Sequence, residues 1–181
     1  MKKSVIEPAN ELSEKLFEIP EIVTAFANKE TEIFNKWITW LQDLEAVFKK
    51  YNFTECAEIA GYRAAVLASS QSFDVKRVKK RKLREQVALE SVQPVQQILS
   101  DRSNLLLDKI EQVRTLVKQI LIPAKDAGMI KYDSKMDDTL FMENLLIQFK
   151  AHEKVRPSIN NAIALLGKYD VIRILTEEIE Y

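Results

Sequence analysis

Three glycines in 181 residues leave this chain few ways to turn sharply. Average usage would supply about 13. Tight hairpins and phosphate-cradling loops both need glycine, for positive φ or for close backbone approach. Gly61, Gly128 and Gly167 are isolated, and neither a GxGxxG pattern nor a P-loop occurs. Nucleotide-binding α/β folds of the usual kind are therefore not expected. No stretch alternates apolar and polar residues for long, and no Asn-Gly or Asp-Gly hairpin turn is present.

The apolar residues instead recur at helical spacing almost throughout. A short helix through Leu12, Leu16 and Phe17 is expected, with Asn10 as its cap. Pro20 then suits the first turn of a long helix over 21–50. Its seam is Ile33 or Phe34, Trp37, Leu41, Leu44 and Phe48, the spacing of a bundle stripe. Asn52 can end that helix and Thr54 can start the next. The segment 54–92 carries Ala57, Ala60, Gly61, Ala64 and Leu67, a small-residue surface that permits close helix packing. The polar run 69–72 is a candidate break, with Asp74 as a new cap. Pro94 predicts a kink or break near 90–93.

The cleanest pattern lies in 95–127. Leu99, Leu106, Val113 and Ile120 recur every seven residues, with Ile110 and Val117 between them and Ser103 as a polar substitute. This is a coiled-coil-like stripe of about three heptads. Gly128 can terminate it. Ser134 and Asp137 resemble a capping box before a helix over 135–154, expected to bury Met136, Leu140, Phe141, Leu145, Ile147 and Phe149. Pro157 can open a short helix ended by Gly167, and Asp170 can cap a final one.

The expected fold is all-α: an antiparallel four-helix-bundle-like core with long helical hairpins and two short C-terminal helices. It reads as a single domain over 1–181. Residues 1–20 are an extension with a short helix, 21–154 the bundle, and 155–181 the C-terminal pair. Cys56 is the only cysteine, so no internal disulfide can form. The start lacks the apolar stretch of a secretory signal, and no run nears the ~20 apolar residues of a membrane helix. A cytoplasmic location without membrane insertion is expected.

Chemistry is sparse. His152 is the only histidine, which excludes sites that need two from one chain. Glu11/Glu14, Glu55/Glu58 and Asp133/Asp137 sit at helical spacing and could hold magnesium. They read better as solvated faces, and no metal or cofactor is expected. Cys56 near a helix start, and the pair His152 and Arg156, are the other places catalysis could be sought. Neither matches a motif, and no catalytic residue is assigned.

The clearest local feature is basic. Lys76, Arg77, Lys79, Lys80, Arg81, Lys82 and Arg84 put seven cations into nine residues. Basic and acidic residues each total 27, so the rest of the chain carries −7 against this +7. Such a helix faces solvent or an anionic partner, and DNA or RNA phosphate is a sensible one. No aromatic interleaves the run, so base stacking is not signalled. Trp37 and Trp40 lie three apart, and Trp40 is a candidate interface anchor. Leu105, Leu107 and Leu116 lie off the heptad stripe, which makes their helix apolar on more than one side. A helix of that kind is central or shared with a partner. The resulting expectation is a non-enzymatic interaction or scaffold protein that forms a homodimer. A nucleic-acid-binding accessory protein using residues 76–84 is the alternative, and a helical metal-dependent hydrolase comes third.

Overall fold

A computed structural model describes residues 4–69, 77–126, 128–130 and 137–179, with the side chains of 77–81, 138 and 139 outside the description. Among the described residues the fold is all-α, with seven helices and no strand. These are α1 (Ile6–Ala27), α2 (Ile33–Lys50), α3 (Cys56–Ser69), α4 (Arg77–Asp126), α5 (Asp138–Ala151), α6 (Arg156–Leu166) and α7 (Lys168–Glu178). The chain forms two compact units: Met1–Glu7 with Leu105–Tyr181 (unit 1), and Pro8–Asn104 (unit 2). The boundary falls inside α4.

In unit 2 the expected α2 seam is buried in full, from Ile33 and Phe34 through Trp37, Leu41 and Leu44 to Phe48. Side-chain contacts tie α2 to the other helices. Phe26 of α1 packs edge-on against Trp37 at 6.4 Å. Arg63 of α3 donates to Glu45 at 2.8 Å. Trp37 Nε1 donates to Ser91 Oγ of α4 at 2.9 Å. Four helical segments therefore meet here, an arrangement compatible with a four-helix bundle but drawn from other segments than expected. The helix foreseen over 21–50 is two. Lys29 adopts φ 54°, and Glu30 N donates to Ala25 O at 3.1 Å. That closes α1 with the left-handed turn usually given to glycine. Pro20 sits inside α1, not at its start, and is exposed. Asn52 ends α2 as foreseen, at φ 56°.

The break foreseen at Pro94 is absent, since α4 runs through it. Proline inside a helix costs about 3 kcal/mol. Val92 and Val95 on either side of it are buried at 5% and 0% exposure. Burying each stabilises by about 1.5–3 kcal/mol, enough to carry the helix past the proline. In α3 the small-residue surface is not a packing face. Ile59 and Val66 are buried, Ala57 and Ala64 are exposed, and a Cβ at Gly61 would meet nothing within 4 Å. The candidate break at 70–72 and the Asp74 cap lie outside the described residues.

Unit 1 packs the second half of α4 with α5, α6 and α7. The heptad holds: Leu106, Val113 and Ile120 are buried here, as is Leu99 in unit 2. Phe141, Met142, Leu145, Leu146 and Phe149 supply the α5 side of the core. Leu140 and Ile147, expected inside, are 51% and 65% exposed. Gly128 ends α4 at φ 64°, with Met129 N donating to Ala124 O at 2.9 Å. Met136 and Ser134 lie outside the described residues. Asp170 does not cap its own helix, because α7 already starts at Lys168. Its buried carboxylate instead accepts from Ser4 Oγ at 2.8 Å, Val5 N at 2.6 Å and Ile6 N at 3.2 Å. It thereby satisfies donors at the start of α1.

Candidate functional site

The basic run opens α4. Lys76 lies outside the described residues, and Arg77, Lys79, Lys80 and Arg81 are described in backbone only. Cations in a first turn oppose the helix dipole, so this charge does nothing for α4 itself. Lys82 is exposed. Arg84 is half-buried, its guanidinium carbon 3.7 Å from the centre of the Phe34 ring. Its Nε is buried with no hydrogen-bond partner among the described residues. Arg84 thus serves packing against α2 through a cation–π contact.

Among the described residues no group of three or more His, Cys, Asp or Glu converges as a metal site. In two of the acidic pairs one member is engaged elsewhere, while Glu14 and Glu58 are exposed. Glu11 accepts from Lys50 Nζ at 2.5 Å and Tyr51 Oη at 2.7 Å, and the Lys50 bond holds its carboxyl below the usual carboxylate value. Burial and the hydrogen bond to Glu11 push the Tyr51 hydroxyl up. Glu55 is held by Arg102. Burial would raise its carboxyl, but a backbone hydrogen bond and Arg102 outweigh burial, and the net direction is downward. Asp133 lies outside the described residues. Cys56 Sγ sits 3.7 Å from Glu45 O. Arg156 donates to Lys150 O at 2.9 Å and Ala151 O at 3.4 Å, which caps the end of α5 beside exposed His152.

Two surfaces remain. The first is in unit 1. Leu105 and Leu107 on α4 are 45% and 43% exposed, and Leu116 is half-buried. Leu140 and Ile147 on α5, seven residues apart and so on one face, were missed at the sequence level because a core role was assumed for them. Their signal was there: on α5, Glu143 and Lys150 on one flank and Asn144 and Gln148 on the other separate Leu140 and Ile147 from the core face.

The second lies in unit 2 between α1 and α2, where two depressions of about 390 and 420 Å³ share Glu18, Lys36 and Trp40. Their rims carry five carboxylates, Glu18, Glu21, Glu30, Glu32 and Asp43, against Lys15 and Lys36. Lys15 pairs with Glu18 at 3.0 Å and Lys36 with Glu30 at 3.2 Å. Trp40, the candidate interface anchor, is 6% exposed. It stacks on Trp37 with centroids 4.9 Å apart and planes 12° apart. The two indoles differ in one respect. Trp37 Nε1 has Ser91, whereas Trp40 Nε1 is buried without an acceptor among the described residues. A buried donor left unpaired costs about 1–3 kcal/mol.

The chain matches no known protein-family model, no curated protein and no solved structure. No helix among the described residues is long and apolar enough to cross a membrane.

Proposed function

We propose that the chain is a non-enzymatic helical scaffold that acts through protein–protein contacts and self-associates as a dimer. The observation that supports this is α5. It buries Phe141, Met142, Leu145, Leu146 and Phe149 on one side and leaves Leu140 and Ile147 more than half exposed on another. A helix apolar on opposite sides has a face to share, and Leu105 and Leu107 are further exposed apolar residues of the same unit. A second copy offers the same surface, so a two-fold contact satisfies both partners at once. The lone cysteine suits work in a reducing cytoplasm. Phosphate binding by residues 76–84 is the competing reading, and the engagement of Arg84 with Phe34 weighs against it. Light scattering over about 1–100 µM tests the proposal, a range that brackets association near −8 kcal/mol. A dimer mass is expected, and a monomer mass throughout would refute it.

A further inference from the structure

We infer that the depression between α1 and α2 in unit 2 docks a short basic segment of a partner protein, in which an apolar side chain is flanked by lysine or arginine. This rests on reading the chain as a protein-interaction scaffold, and it names the chemistry of one partner.

Three observations converge on that occupant. The first is charge. Five carboxylates face two lysines around the shared depressions, and both lysines are already paired. No described cation lies in ion-pair contact with Glu21, Glu32 or Asp43. A concave surface with that surplus attracts cations and concentrates them. The second is the floor. Ile22, Ala25 and Ile33 line the 390 Å³ depression together with Trp40, so an apolar side chain has somewhere to go. The third is Trp40 itself. It is 94% buried by area, borders both depressions, and keeps a buried indole N–H without an acceptor. A free metal ion would use the carboxylates and ignore the other two features. A peptide supplies cationic side chains for the rim, an apolar side chain for the floor, and a body long enough to cross the Trp40 edge that both depressions share.

The test titrates the full chain with a labelled ten-residue peptide of alternating lysine and leucine, and with its glutamate–leucine counterpart. The lysine peptide is expected to bind, more weakly as salt rises, and the glutamate peptide is not. Glu21→Lys with Asp43→Lys, both exposed and with no described ion pair, is expected to keep its helical circular dichroism. That variant should lose about tenfold or more in affinity, because two attractive exposed pairs become two like-charge repulsions. Equal binding of the two peptides, or lysine-peptide binding unchanged in the variant, overturns the inference. Light scattering on the same variant separates the two readings. A monomeric parent that still binds the lysine peptide would sink the dimer and leave the groove standing. A dimer lost in the variant would mean that a second copy's own basic run fills the groove, and it would overturn the separate partner.

Discussion

The stacked tryptophans offer a matched pair of substitutions. Trp37 and Trp40 are 0% and 6% exposed and lie in the same unit. Phenylalanine at either position removes the same atoms, so the packing losses are similar and nearly cancel in a comparison. The polar effects have opposite sign. Trp37→Phe breaks the 2.9 Å bond to Ser91 Oγ, while Ser91 keeps its own 2.6 Å bond to Ala88 O. The loss is that of one ordinary hydrogen bond, about 0.5–1.5 kcal/mol. Trp40→Phe removes a buried N–H that has no acceptor, and relieves a desolvation cost of about 1–3 kcal/mol. Trp37→Phe is therefore expected to be less stable than Trp40→Phe by about 1.5–4.5 kcal/mol. Urea unfolding checks this, because each variant retains one tryptophan in unit 2 as a fluorescent reporter. In thermal melts the two should differ by at least about 3 °C, at roughly 2–4 °C per kcal/mol. Equal stability, or Trp40→Phe the weaker, would show that the Trp40 indole N–H is satisfied, and the argument from its unpaired donor would fail.

Three further outcomes follow. Asp170→Ala strands the Ile6 amide and frees Ser4 and Val5, so a loss of about 2–4 kcal/mol is expected, together with faster hydrogen exchange at Val5 and Ile6; unchanged exchange there would count against the clasp. The Glu11 and Glu55 carboxyls titrate below their ordinary value, so their contribution is complete above the unfolded pKa and disappears as pH falls through the lowered folded values. Stability should hold down to about pH 5 and then decline, with a shallower decline in Glu11→Gln. Labelled duplex DNA should not be retained at about 200 mM salt; salt-steep binding lost when Lys79, Lys80, Arg81 and Lys82 become glutamine would put phosphate recognition first.

The parts of this fold that were legible in sequence are those set by one helix at a time. The Ile33–Phe48 seam and the Leu99–Ile120 heptad depend only on helical period, and both are buried as spacing implies. What was illegible depends on partners. Lys29 ends α1 in a conformation that composition assigns to glycine, so no punctuation marked the break. Pro94 carries the local signal of a stop, and burial of Val92 and Val95 overrides it. Asp170 reads as a cap for α7 because its real partner, Ser4, is 166 residues away. The depression between α1 and α2 needs two helices that the sequence reading had fused into one. Leu140 and Ile147 were read as core because apolar residues usually are; on a helix with two apolar stripes, period alone does not say which one is outside.

Sedimentation velocity of the parent and of Leu140→Gln with Ile147→Gln, at one micromolar-range concentration, tests the central claim most directly. The account predicts a dimer for the parent and a folded monomer for the variant, since exposed positions tolerate glutamine with stability changes within about 0.5 kcal/mol. A parent that sediments as a monomer, or a variant that remains a dimer, would contradict it.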